Sequence, residues 1–258
     1  MATKTPVRPA LTDAQLGEMM GLLRGSDTVE LKVTVPAAQQ RDAIRALGLD
    51  ALDAQIRQVI FFDTPDLALD RAGVVVRARR IQGRAGDSVI KLRPLDPDQV
   101  SKDVRRLDGF GIEVDAIPGG FVCSGRLKCE ADADAIRQVA LGERALRKVY
   151  TKEQRALYEA NAPDGIELDH LAVLGPIFVL KLKWQPRTFA RKMVAEMWLY
   201  PDGARIFELS TKCLPGEAFD VAAEARVYLG GHGIDLSGEQ QTKTRTALEF
   251  FAAELAAG

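Results

Sequence analysis

Charged residues in this chain recur two apart within segments that read as strands. Side chains at i and i+2 of a strand project from the same face, so the spacing sorts them into groups: Glu30 with Lys32, Arg77 with Arg79, Lys91 with Arg93, and Glu113 with Asp115. Further on it groups Glu153 with Arg155, Glu167 with Asp169, Lys181 with Lys183, and Glu208 with Ser210 and Lys212. The alternate positions are apolar: Val29, Leu31 and Val33; Val74 and Val76; Ile90 and Leu92; Ile112 and Val114; Leu180 and Leu182. An open sheet with one wet face also alternates. Such faces mix Thr, Ser and Gln among their charges, whereas nearly every slot here is Arg, Lys, Glu or Asp. Many strands also leave edges to protect, and closure into a barrel removes them. The pattern predicts a closed antiparallel β-barrel, apolar outside beneath helices and ionic within.

Such an interior must have a use. A buried ion left unpaired costs several kcal/mol, and whole domains are stable by only about 5–15 kcal/mol. The lumen must be hydrated, internally paired, or filled by a charged ligand. Clustered Arg and Lys suit phosphate oxygens. Interspersed carboxylates would repel a bare polyphosphate, so their presence implies bridging divalent cations.

Along the chain, Thr12 and Gln15 form a capping-box pattern ahead of an amphipathic helix placed at 11–24. Strands are expected at 28–35, 59–63, 73–81, 88–93, 111–115, 121–129, 149–159, 165–170, 177–184, 193–200 and 205–213. A helix is expected between Pro36 and Gly48, a more helical stretch at 132–145, and two final helices at 217–229 and 237–255. The order is α+β rather than a βαβ repeat. It divides into a barrel domain at 1–215 and a C-terminal helical hairpin at 216–258 packed on the barrel.

Composition narrows the chemistry. The net charge is −1, which argues against a uniformly basic nucleic-acid surface. No apolar run reaches the roughly 18 residues a membrane span needs, and residues 1–8 lack the apolar core of a secretory signal, so a cytoplasmic protein without membrane attachment is expected. With two histidines and three cysteines in no Cys-x-x-Cys pair, His-rich metal sites and Ser-His-Asp triads are disfavoured. Any metal would sit on carboxylates, which points to Mg²⁺ or Mn²⁺. P-loop, dinucleotide and nucleophile-elbow motifs are absent from the sequence. Oligomeric state is left open.

The run Phe61-Phe62-Asp63-Thr64-Pro65-Asp66-Leu67-Ala68-Leu69, continuing through Ala72-Gly73 to Val76-Arg77-Ala78-Arg79, closely resembles a signature segment of the CYTH, or triphosphate tunnel metalloenzyme, family. Val89-Ile90-Lys91-Leu92, Val29-Glu30-Leu31-Lys32 and Ile166-Glu167-Leu168-Asp169 with Leu174-Gly175 resemble further family strands, in the family's order. The resemblance covers roughly residues 28–212. It implies an eight-stranded tunnel that binds a small-molecule triphosphate or polyphosphate with Mg²⁺ or Mn²⁺. The implied activity is phosphate release from tripolyphosphate or a nucleoside triphosphate; the alternatives are a class IV adenylyl cyclase and a non-catalytic binding module. Carried over by position, Glu30 and Lys32 would be catalytic. Lys32, Arg77, Arg79, Lys91 and Arg155 would hold phosphates, and Glu30, Asp169 and Glu208 would hold metal; Arg93, Lys181 and Lys183 join the phosphate candidates through their strand faces alone. Two departures stand out: Thr28 replaces a glutamate, and the strand at 178–183 carries leucines and lysines where the family alternates glutamates.

Overall fold

The computed structural model describes residues 12–238 and 240–257; readings made for residues 1–11 lie outside the described residues. Nine strands close into one barrel: β1 (Thr28–Val35), β2 (Gln55–Asp63), β3 (Val74–Ile81), β4 (Arg84–Leu92), β5 (Phe110–Ile117), β6 (Gly120–Ala131), β7 (Ala172–Trp184), β8 (Met193–Leu199) and β9 (Arg205–Cys213). Around the barrel the order is β1-β5-β6-β4-β3-β2-β7-β8-β9. The expectation of eight antiparallel strands is thus corrected to nine with one parallel seam, where Thr28 to Leu31 run beside Glu113 to Ala116. Asp27 locks that seam, its backbone N–H donating to the Ile112 carbonyl and its carboxylate accepting from the Ile112 N–H at 2.7 Å.

The helices are α1 (Asp13–Gly25), α2 (Gln40–Ala46), α3 (Ala68–Arg71), α4 (Lys102–Arg105), α5 (Ala133–Ala140), α6 (Lys152–Glu159), α7 (Ala218–Gly231) and α8 (Lys243–Ala257). Alternation then divides the apolar residues. Outward-facing Val74, Val76, Ile90 and Leu127 pack beneath α5 and α6 through Ile136, Val139, Leu157 and Tyr158. On another side Val29, Val33, Val114 and Leu209 pack under α1 and α7 through Leu23, Val221, Ala225 and Leu229. Burial of each such side chain contributes about 1.5–3 kcal/mol.

A third cluster lies on the inner face. Val59, Phe61, Val179, Trp198 and Ile206 share strand faces with the lumen charges and meet Ala247 and Leu248 of α8. A helix reaches inner-face residues at a mouth of the barrel. Of the two C-terminal helices expected on the outer surface, α7 lies there and α8 stoppers one mouth with apolar side chains.

Two expected strands are not strands. The segment 149–159 holds a 3₁₀ turn at Leu146–Val149 and then α6, opened by a capping box in which Thr151 and Gln154 bond reciprocally. The alternation of Glu153 and Arg155 is incidental to a helix whose start signal is the stronger one. The segment 165–170 is loop plus one 3₁₀ turn at Leu168–His170, consistent with the turn-forming Pro163-Asp164-Gly165. Asp63 and Thr64 shape the turn into α3: the Asp63 carboxylate accepts from the N–H groups of Thr64, Leu69 and Asp70, and the Thr64 hydroxyl accepts from Ala68 N–H.

Gln154 ties α6 to the barrel. Its side chain accepts from the Ser88 hydroxyl at 2.9 Å and donates to the carbonyls of Ser88 and Leu127 at 3.0 and 3.1 Å. Gln154→Ala therefore strands three buried partners, an expected loss of about 2–4 kcal/mol. Arg155→Ala, one residue on and outside the barrel, should cost roughly 1 kcal/mol or less. Urea denaturation of both variants checks the pair; equal losses would contradict this placement of α6.

Candidate functional site

The side chains between the alternating apolar positions meet inside the barrel. Lys32 Nζ of β1 stands 2.7 Å from Asp115 Oδ1 and 3.1 Å from Glu30 Oε2. Asp115 Oδ2 on β5 also faces Lys91 Nζ at 3.3 Å and Arg93 Nη1 at 3.7 Å. β4 and β5 are separated by β6, so these contacts bridge across the lumen side of an intervening strand. Lys212 of β9 pairs with Glu113 and stands 3.6 Å from Glu30. The result is one acidic cluster, Glu30, Glu113 and Asp115, whose oxygens lie within 4.8 Å of one another.

Charge exerts opposite pulls here. Burial raises the Glu30 pKa, but Lys32 and Lys212 outweigh it and leave Glu30 at about 2. Asp115 is likewise held well below the carboxylate range: burial opposes this, and Lys32 and Lys91 overcome it. Burial alone would lower Lys32, but Glu30 and Asp115 together raise it.

Other strands form a basic wall. Arg57 of β2, Arg77 and Arg79 of β3, Arg126 and Lys128 of β6, and Lys181 and Lys183 of β7 share the inner face by register. Asp87 of β4 answers part of this charge, accepting two 2.8 Å bonds from Arg79 and lying 3.6 Å from Lys128. Arg77 Nε and Arg126 Nε are buried without a hydrogen-bond partner. Burial, with Arg79 alongside, pushes Arg77 down to about 9. Burial takes Lys91 down to about 8, despite Asp115. A buried cation whose charge is disfavoured is poorly paired, and an anion would complete it.

A third group lies near the α8 end. Glu196 of β8 pairs with Lys181 at 2.6 Å, and Lys243 at the start of α8 sits 2.5 Å from Glu196 and 2.7 Å from Glu208. Trp198 Nε1 donates to Glu196 at 3.2 Å, and the Lys243 ammonium lies 5.2 Å from the Trp198 ring centre.

Of the residues singled out from sequence, the barrel brings together Glu30, Lys32, Arg77, Arg79, Lys91, Arg93, Lys181 and Glu208; Lys183 shares their face at the exposed end of β7. Arg155 and Asp169 stand elsewhere. Arg155 on α6 donates to the carbonyls of Arg147 and Tyr150, and Asp169 pairs with Arg147 on the outer surface. Both were assigned to strands that are a helix and a turn, and that is why they miss the lumen.

Glu113 and Asp115 are grouped on one strand face by the sequence but given no role there, and Asp87, Arg57, Arg126, Lys128, Glu196 and Lys243 are not singled out. Glu113 with Asp115, and Arg126 with Lys128, carried the i, i+2 signal. Lys243 had none, because it enters from a helix.

Glu30, Glu113 and Asp115 offer clustered hard oxygens, with the ammoniums of Lys32 and Lys212 already against them. That donor set fits a divalent ion of the Mg²⁺ or Mn²⁺ kind. Lys212 is 46% exposed and has room to withdraw.

No protein-family model matches the chain, and no curated protein sequence does. Solved structures do. A Hippeastrum protein, described as an adenylyl cyclase candidate with a dominant triphosphatase activity, aligns over 87% of this chain and 96% of its own at 16% identity and a TM-score of 0.62. An adenylate cyclase candidate from Bacillus halodurans aligns over 85% of this chain and 97% of its own at 12% identity and a TM-score of 0.58. The closed barrel expected from the strand alternation and from the resemblance of the Phe61 to Arg79 segment is the fold this chain has and shares with both of these structures.

Proposed function

We propose that the barrel binds a triphosphate along its basic wall and hydrolyses it to release phosphate, with tripolyphosphate or a nucleoside triphosphate as substrate. The observation that carries this reading is the polarity of the interior: Arg77 and Arg126, each with a buried nitrogen lacking a partner, share the lumen with Lys91 and a cluster of three carboxylates. A triphosphate is a short anionic chain that needs cations along its length and tolerates carboxylates where a divalent ion intervenes. The activity described for the Hippeastrum protein is of the same kind.

In this reading Arg77, Arg79, Arg126 and Lys128 orient the phosphate chain by charge-assisted hydrogen bonds. Lys32 and Lys91, already beside Asp115, hold the phosphoryl group next to the acidic cluster, where Glu30, Glu113 and Asp115 would hold Mg²⁺ or Mn²⁺. The ion, when bound, supplies Lewis-acid polarisation of the phosphoryl oxygens and activation of water. Most of the catalysis is then positioning and charge neutralisation by side chains fixed before substrate arrives. Asp169 and Arg155, on the outer surface, have no part in it. The three cysteines are free thiols, which suits a reducing compartment, so the proposed place of action is the cytoplasm. No helix among the described residues is long and apolar enough to cross a membrane.

A second reading, a binding module without turnover, is favoured by the ammonium groups already on the carboxylates: Lys32 and Lys212 at the acidic cluster, Lys243 at Glu196 and Glu208. One assay separates the readings. The pure protein is incubated with tripolyphosphate or ATP and Mg²⁺ or Mn²⁺, and products are resolved by chromatography. Phosphate release is expected; cyclic AMP with pyrophosphate would make it a cyclase. Tight tripolyphosphate binding indifferent to EDTA, with no product, would make it a binder. Arg77→Met should weaken tripolyphosphate binding by about 10- to 150-fold, the equivalent of one charge-assisted bond of about 1.5–3 kcal/mol. The same change should leave the free protein at least as stable, since it removes a desolvated cation.

The low pKa values give a pH signature. Lys91, at about 8, loses charge in the free protein as pH rises through that value. A bound polyanion restores it. Tripolyphosphate affinity should therefore fall above about pH 8, and binding near pH 8.5 should take up protons. Calorimetry in buffers of different ionisation enthalpy measures that uptake, and Lys91→Met should reduce it. Because the folded pKa of Lys91 lies below its unfolded value of 10.5, the unfolded chain holds more protons between about pH 8 and 10.5, and this group makes the free protein more stable as pH rises through that window. Zero proton uptake would contradict the lowered pKa of Lys91.

A further inference from the structure

Glu208 and Glu196 are cross-strand partners on β9 and β8, both facing the lumen, so two carboxylates stand side by side there. In this chain a cation already stands there. Lys243 Nζ lies 2.5 Å from Glu196 Oε2 and 2.7 Å from Glu208 Oε1, and Lys181 takes the other Glu196 oxygen at 2.6 Å. We propose that Lys243 is a tethered counter-cation: it fills the Glu196–Glu208 pair permanently and limits the lumen to divalent ions at the Glu30, Glu113 and Asp115 cluster.

What distinguishes Lys243 from the other lumen ammoniums is its anchorage. Lys212 is nearly half exposed. Lys243 begins α8, and its carbonyl accepts from the Tyr200 hydroxyl at 3.3 Å. One turn later Ala247 and Leu248 are fully buried among inner-face residues of the barrel. On the other side, Gln240 accepts from the Thr34 N–H at 2.9 Å and the Gln241 N–H donates to the Thr34 hydroxyl at 3.2 Å. Trp198 covers the ammonium with its ring. Withdrawing the lysine therefore requires lifting α8 from the mouth of the barrel.

Electrostatics then exclude a second ion. Two carboxylates against the ammoniums of Lys181 and Lys243 are already neutral, and a divalent ion placed between them would meet two positive charges at contact distance. The geometry differs as well, since Mg²⁺ draws oxygens to about 2.1 Å and the ammonium holds them farther out. Glu208, a metal candidate by sequence, is on this account a lysine partner in the native chain.

The inference concerns ion number alone and shares with the proposed function the premise that this interior takes divalent ions. It is tested with Mn²⁺ and free protein, counting bound ions by electron paramagnetic resonance and calorimetry, with no substrate present. Lys243→Met, which keeps the stem length beside Trp198, should bind one Mn²⁺ more than the native chain; Lys243→Gln should do the same. Adding Glu208→Gln to either should remove the gained ion. In the native background Glu208→Gln should leave the count unchanged. An unchanged count in a folded Lys243 variant overturns the proposal, and so does a lower count in Glu208→Gln alone. If the native chain binds no Mn²⁺, the metal assignment of the proposed function fails, while a Lys243 variant that gains one ion still upholds the tethered cation.

Discussion

Asp115 is the group on which the interior depends. It is almost wholly buried, and three cations, Lys32 of β1, Lys91 of β4 and Arg93 just beyond β4, converge on it. Closing a sheet into a barrel removes its edges, and it also denies the inner face bulk solvent. Any charge placed there must be answered by another side chain, by water or by a ligand. Along β1, β5 and β9 the answer is internal, with carboxylates and ammoniums alternating at contact distance. Along β2, β3 and β6 the answer is incomplete, and Arg77 and Arg126 keep buried nitrogens without partners.

That imbalance is informative because apolar replacements would be cheap to make. Buried ion pairs exchanged for well-packed apolar groups are often neutral or stabilising by about 1–4 kcal/mol. The outer face of the same strands shows how readily this chain packs Val, Ile and Leu against helices. Underpaired cations of this kind are what a site for an anion leaves in the free protein, and departures from full pairing belong at functional sites. The same desolvation that lowers the Lys91 and Arg77 pKa values would strengthen each bond to an incoming phosphate oxygen.

The fold was legible in the sequence because period-two alternation is a local signal that survives without an alignment. The strand at 205–213 was placed to the residue, and the outward set Val74, Val76 and Ile90 lies beneath helices as the alternation required. The same signal misled where it was short. Glu153 with Arg155 and Glu167 with Asp169 each offer two charges with one residue between, a spacing a helix or a turn also supplies, and the Thr151-x-x-Gln154 cap decides the first case for a helix. The parallel seam between β1 and β5 could not be read, since it joins segments some eighty residues apart. Glu196 was hidden because its strand carries one charge flanked by Met, Ala and Trp, so no second charge at i ± 2 flagged its face.

The residue furthest from sequence-level view is Lys243, and its position changes what counts as the site. The barrel strands end at Cys213, and a helix thirty residues later sends an ammonium back into the lumen while its next turn seals the mouth with Ala247 and Leu248. The apolar contacts and the charge act together: the buried turn fixes the helix, and the fixed helix holds the ammonium against two carboxylates that would otherwise repel one another. Removing the turn would release the charge, and removing the charge would leave Glu208 buried and unanswered. The C-terminal helix is therefore part of the interior in the same sense as a strand. The ionic balance of this lumen is a property of the whole chain from Thr28 to Leu248 rather than of the barrel alone.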